Sequence, residues 1–189
     1  MAITIAEEPQ IRSMAIGISR EMYHKLFEQG KIPEKTELLE GVIISKMPKS
    51  PLHTEFLKRL MNIFGMKLVG EYEIRKEEPL IILESEPEPD LAIVDTRDYS
   101  EEHPNYAHLV IEIAINSLGL DRKKAEIYAQ GKIPEYWLFN LKDNVLEIYL
   151  EPENGIYKTN KILRPGQIAY PDFAKELEID LAGIWIYSK

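Results

Sequence analysis

HLVIEIAINSLGLDRKKAEIYAQGKIPEYWLFN, residues 108–140, is the stretch that decides the fold. Val110, Ile111, Ile113 and Ile115 surround one acid, Glu112, and residues 107–115 read as a buried strand. LDRKKAEIYAQGK follows with helical spacing, closed by Gly131 near its C-terminus. PEYWLFNL, 134–141, is the next strand. Two strands joined by one helix fit a right-handed parallel crossover. Glu112 is the anomaly in this unit. An unpaired carboxylate removed from water costs several kcal/mol, so it is expected to be paired, protonated or bound to a cation.

Working outward, residues 1–17 form a weakly patterned arm. Residues 18–30 predict an amphipathic helix capped by Ser19, with Met22, Leu26 and Phe27 as its apolar stripe. ELLEGVIIS, 37–45, predicts a strand. Residues 50–70 predict a second helix, with Ser50 as N-cap, Pro51 in the first turn and Leu57, Leu60, Met61 and Phe64 at helical spacing. Short strands are expected at 71–75, 79–84 and 90–95, and a hairpin after Asn144 turns at Asn154–Gly155. The expected architecture is α/β (α+β mixed), a central mixed sheet flanked by helices, in a single domain from 18 to 189.

With 44% hydrophobic and 29% charged residues, the composition is that of an ordinary globular chain. No cysteine is present, which excludes disulfides, thiolate zinc sites and cysteine nucleophiles. His24, His53, His103 and His108 lack metal-ligand spacing. No apolar run approaches the ~20 residues of a membrane span and the N-terminus lacks a signal-peptide core, so a cytoplasmic protein without membrane contact is expected. The net charge of −9 argues against a large, constitutive nucleic-acid surface. It leaves room for a local basic groove or a site where a divalent cation supplies positive charge.

Side chains alternate faces along a strand. In DLAIVD, Asp90 shares a face with Ala92 and Val94; in HLVIEIA, Glu112 shares one with His108, Val110 and Ala114. The alanine two residues beyond each acid suggests room for something non-protein. If the strands are neighbours, the two acids converge, and two carboxylates together need a shared proton or a cation between them. Oxygen ligands of this kind suit Mg²⁺ or Mn²⁺. The plainer readings are a solvated Asp90 at a strand start and a Glu112 paired to a core Lys or Arg. On the helix, Leu120, Lys124, Ile127, Tyr128 and Gly131 lie along one face, which turns Lys124 toward the sheet. Lys124 either snorkels to water or directs its ammonium at the acids.

PD at 89–90, an apolar strand carrying Glu112 and a following lysine resemble the PD-(D/E)XK nuclease superfamily. More narrowly, ELLEG (37–41), SPLH (50–53), EPDLAIVD (88–95), LVIEIAINS (109–117) and DRKKAEIYAQGKIPEYWLF (121–139) resemble its bacterial restriction-endonuclease-like family, from about residue 18 to 150. The resemblance implies a restriction-endonuclease-like fold and divalent-metal-dependent hydrolysis of DNA phosphodiester bonds. Asp90 and Glu112 would be metal ligands, with the Ile113 carbonyl a third. The superfamily's lysine position, two after the glutamate, holds Ala114, and Lys124 matches the family's displaced lysine. Glu37 corresponds to an upstream acid of the same site and makes a second metal conceivable. His53 matches a family histidine. Two functions are therefore expected to compete: an endonuclease acting as a homodimer, with NVLEIYL (144–150) as a possible edge strand at the two-fold, and a nuclease-fold binding or assembly module without catalysis.

Overall fold

The computed structural model describes residues 14–68, 70 and 72–185. Most of the arm at 1–17 therefore lies outside the described residues. Helix α1 spans Arg20–Glu28, β1 Thr36–Leu39, β2 Val42–Ser45, α2 Pro51–Lys67, β3 Tyr72–Lys76, β4 Leu91–Asp95 and β5 Leu109–Ala114. Helix α3 covers Leu118–Gln130, followed by β6 Glu135–Asn140, β7 Val145–Glu153 and β8 Ile156–Leu163. A short ribbon, β9 Ile168–Ala169 with β10 Ile179–Asp180, precedes α4 Leu181–Ile184.

Among the described residues the main sheet has six strands, in the order β3-β4-β5-β6-β7-β8. β5 and β6 pair in parallel, as the crossover through α3 requires, and the other neighbours are antiparallel. One face carries Leu91, Ile93, Leu109, Ile111 and Ile113 against Phe56, Leu57, Leu60 and Phe64 of α2 and the C-terminal segment. The opposite face carries Ala92, Val94, Val110 and Ala114 against α3. Both faces of the central strands are thus covered, which explains their near-continuous apolar runs.

Several local expectations are corrected. ELLEGVIIS is a hairpin, not one strand: β1 and β2 pair antiparallel across Glu40–Gly41, both at positive φ (49° and 77°), the signature of a two-residue primed turn. PLIILE is not a strand either. It folds back on itself, with Ile82 bridging Ser85 and Leu83 at φ 52°. The helix α1 stripe fails to bury: Met22 and Phe27 are each 44% exposed, and Tyr23 docks the helix by donating its hydroxyl to the Thr36 carbonyl at 3.0 Å. β7 is internal, between β6 and β8, so NVLEIYL is no edge; among the described residues β3 and β8 end the sheet. The hairpin turn at Asn154–Gly155 stands, both residues at positive φ.

Candidate active site

The β4–β5 register pairs Leu91 with Ile111 and Ala92 with Val110. Continued by one residue, it sets Asp90 opposite Glu112, just where the ladder ends. Directly opposed residues of an antiparallel pair project to the same face, so the two acids converge. With β4 no longer providing a partner, the Ile113 N–H donates instead to Asp90 Oδ2 at 2.8 Å. The Ala114 carbonyl accepts from Leu141 N at 2.9 Å, on the β6 side. Since successive peptide groups of a strand alternate edges, the Ile113 carbonyl turns the other way, toward Asp90.

Helix α3 delivers Lys124 to this point. Its Nζ lies 2.8 Å from Glu37 Oε2 and 3.0 Å from Glu112 Oε1, and its side chain is only 5% exposed. Tyr128, one turn later, donates its hydroxyl to the same Glu112 Oε1 at 3.1 Å. Among the described residues Glu112 Oε2 has no hydrogen-bond partner. The β1–β2 hairpin supplies Glu37, whose Oε2 also accepts from the Glu88 N–H at 3.2 Å. Asp121, one turn before Lys124, is buried and takes a hydrogen bond from the Ser117 hydroxyl.

From the other side comes the N-terminus of α2. Ser50 caps it by accepting from the His53 N–H at 3.2 Å, which fixes the first turn. His53 Nε2–H then donates to Asp90 Oδ2 at 3.0 Å, and its Nδ1 is buried with no partner among the described residues. The loop from Lys46 to Ser50 completes the wall. Lys49 Nζ lies 3.4 Å from Asp90 Oδ1 and pairs closely with Glu77, while Lys46 pairs closely with Glu88.

These groups line one cavity of about 150 Å³. Five carboxylates (Glu37, Glu88, Asp90, Glu112, Asp121) face three ammonium groups (Lys46, Lys49, Lys124), a formal excess of two negative charges. The electrostatics divide the acids. Burial works against ionised Asp90, but His53, Lys49 and the Ile113 N–H together hold its pKa below the usual carboxylate value. Burial pushes Glu112 up to about 8; Lys124 opposes this, while Asp121, Asp90 and Glu37 add to it. Asp121 rises to about 6, again first through burial. Burial disfavours the Lys124 ammonium, yet Glu112, Glu37 and Asp121 outweigh it and keep the group charged.

Asp90, Glu112, Lys124 and Glu37, singled out from the sequence, are thus brought together, with the Ile113 backbone and His53 beside them. The space expected next to the alanines is not there. Ala92 and Ala114 are fully buried in the same apolar cluster as Tyr128 and Tyr136, so their small size admits helix α3 and its aromatic partners rather than a ligand. Asp121 and Tyr128 were legible by helical period from Lys124. Lys49 carried no comparable signal, because its reach to Asp90 depends on the path of a loop.

A family model described as "Uma2: Putative restriction endonuclease" matches residues 20–182. The chain belongs to the Uma2 family. The Uma2 fold of this chain is similar to the crystal structure of "a putative nuclease belonging to DUF820" from Anabaena variabilis. That match has a TM-score of 0.69 at 19% identity and covers 84% of this chain and 96% of that one. It supports the restriction-endonuclease-like fold. A looser match, to the type IIG restriction endonuclease BpuSI, has a TM-score of 0.41 at 17% identity, with 69% of this chain and 15% of that one covered. No curated protein matches. Among the described residues, no helix is long and apolar enough to cross a membrane, and no three His, Asp or Glu side chains already converge as a metal cage.

The donor set nevertheless fits a hard divalent cation. It offers Asp90 Oδ1, Glu112 Oε2 and the turned-in Ile113 carbonyl, all oxygen, with open cavity beside them to admit water ligands.

Proposed function

We propose that this Uma2 protein is a divalent-metal-dependent endonuclease that hydrolyses DNA phosphodiester bonds. The observation that carries the reading is the opposition of Asp90 and Glu112 at the end of the β4–β5 ladder, with Lys124 buried between Glu112 and Glu37. Asp90, Glu112 and the Ile113 carbonyl would hold Mg²⁺ or Mn²⁺. The chemistry such an ion supplies when bound is neutralisation of phosphate charge and a lowered pKa for the attacking water. Ile113 N–H and His53 fix Asp90 through one oxygen and leave the other directed at the cavity. Tyr128 and Lys124 fix Glu112 in the same way. Lys124 adds a positive charge in a water-poor setting, where it counts most against charge building on the phosphate. Glu37 holds that ammonium in place. Cleavage of both strands calls for two sites, which a homodimer supplies; light scattering on the purified protein tests the assembly.

Nicking of supercoiled plasmid in Mn²⁺ or Mg²⁺ tests the assignment. The expected result is metal-dependent nicking that disappears in Glu112→Ala while the fold survives. Undiminished nicking by that variant overturns it. One observation favours the alternative of a non-catalytic binding module: Lys124 already neutralises two of the acids. Failure of any divalent ion to bind at millimolar concentration would select that alternative.

A further inference from the structure

We propose that Lys49 holds the cation position at Asp90 in the free protein and, once a divalent ion displaces it, binds the phosphate of the substrate. This rests on the metal-dependent nuclease reading above.

The two oxygens of Asp90 are used differently. Oδ2 is filled by the Ile113 N–H at 2.8 Å and His53 Nε2 at 3.0 Å. Oδ1 has Lys49 Nζ as its neighbour among the described residues, at a loose 3.4 Å. A metal ion can therefore reach Asp90 only through the oxygen that Lys49 covers. An ammonium and a divalent ion cannot share one carboxylate oxygen, because their mutual repulsion at such distances exceeds what the long Lys49 contact contributes. Arrival of the ion pushes the ammonium aside.

The displaced group stays at the mouth. Its loop is pinned at one end by the Lys46 N–H bonded to the Lys35 carbonyl at 2.9 Å, and at the other by the Ser50 cap. The backbone is held while the four-carbon stem swings. Lys49 is also the cavity cation free to do so. Lys124 is sealed in and bound to two acids, and Lys46 and Lys49 each pair closely with one glutamate, but Lys49 is the more exposed of the two, 31% against 20%, and is the one that also lies against Asp90. A polyanion approaching a chain of net charge −9 needs a local cation at the point of contact. A nonbridging oxygen of the metal-held phosphate is the nearest anion the displaced ammonium can meet.

The test compares wild-type protein with Lys49→Ala and Lys49→Arg in two measurements. Mn²⁺ affinity is read by electron paramagnetic resonance without DNA. Binding of a fluorescent DNA duplex is read by anisotropy in Ca²⁺ over a series of salt concentrations. Lys49→Ala is expected to bind Mn²⁺ about three- to tenfold more tightly, since a competing charge is gone. The same variant should bind the duplex about tenfold more weakly, with the log–log salt slope shallower by about 1. Lys49→Arg should keep the duplex affinity. Opposite signs in the two measurements are the signature, because a merely structural residue would weaken both. Unchanged or weaker Mn²⁺ binding by Lys49→Ala, or unchanged duplex affinity, overturns the assignment of Lys49 alone. Absence of duplex binding by the wild-type protein overturns the nuclease reading and this inference with it.

Discussion

Helix α3 places two cations against two buried strand acids, and the two pairs differ instructively. Arg122 meets Glu147 of β7, and Lys124, two residues on, meets Glu112 of β5. Glu147 has both oxygens filled: Arg122 Nε donates to Oε2 at 3.1 Å and Nη2 to Oε1 at 2.5 Å, and the Tyr149 hydroxyl donates at 2.7 Å. Burial works against ionised Glu147, yet Arg122 and Tyr149 carry its pKa below the usual value. Glu112 is engaged through Oε1 alone, shares its lysine with Glu37, and is pushed up to about 8. Both side chains are nearly closed to solvent, 6% and 5% exposed, but Glu112 lies deeper in the protein than Glu147. What marks Glu112 as a candidate ligand here is an unfilled oxygen facing a cavity, added to its greater depth.

The strongest way to break this comparison is to remove each cation. Lys124→Met leaves Glu37, Glu112 and Asp121 buried without their counter-charge, and is expected to cost about 3–5 kcal/mol in metal-free protein at pH 8. Urea denaturation in EDTA measures it, and the loss should shrink at pH 5, where Glu112 and Asp121 take up protons. Arg122 is half exposed, so Arg122→Met should cost clearly less. Equal losses would mean that the two clusters are alike.

Next comes Glu112→Gln. Nicking should fall at least about a hundredfold, equivalent to about 2.7 kcal/mol of barrier, with the fold intact. Stability should respond in a particular direction. A folded pKa of about 8 against a model value of 4.5 means that the folded chain grips the proton. Stability is then complete below about pH 4.5 and is lost as pH rises through 8. Glu112→Gln should flatten that decline in EDTA; a profile as steep as wild type would contradict the pKa assignment.

Much of this site was legible beforehand because two simple periodicities govern it. Alternation along β4 and β5 set Asp90 and Glu112 on the face that α3 covers, and the helical period turned Lys124 toward them. The same period picks out Asp121, three residues before Lys124, yet an aspartate in a helix's first turn reads equally well as a dipole partner. ELLEG was ambiguous for a different reason: Glu–Gly is a weaker turn signal than Asn–Gly, and the apolar residues on both sides mimic one strand. The stripe on α1 misled because a helix buries only the face that packs, and among the described residues of α1 only Tyr23 is buried. Lys49 lies in an aperiodic loop, where position follows from tertiary packing alone.

A smaller effect sharpens the contrast from the structural side. Glu147→Ala removes the acceptor for Arg122 and Tyr149 and should cost about 1–3 kcal/mol at pH 7, with Mn²⁺ affinity unchanged. Because the folded pKa of Glu147 lies below 4.5, its contribution is present above that pH and is lost as pH falls through the folded value. The pH slope removed by this variant is therefore opposite in sign to the one removed by Glu112→Gln. Weakened Mn²⁺ binding would show that the two clusters communicate through α3.

The smallest expected effect decides why Glu112 differs from Glu147. Asp121 is the first of the charges that raise Glu112, and is itself raised to about 6. Asn at this position keeps an oxygen to accept from the Ser117 hydroxyl, so Asp121→Asn should change stability by less than about 1 kcal/mol. Its main consequence is electrostatic: with one negative charge gone, Glu112 in metal-free protein should titrate below its wild-type midpoint of about 8. NMR observation of the Glu112 carboxyl carbon through a pH series measures the shift. A midpoint that moves makes the raised pKa a property of crowded acids, which a divalent ion would relieve on binding. A midpoint that stays leaves burial, with Asp90 and Glu37, to hold the pKa up, and Asp121 then has no part in what distinguishes Glu112 from its structural counterpart.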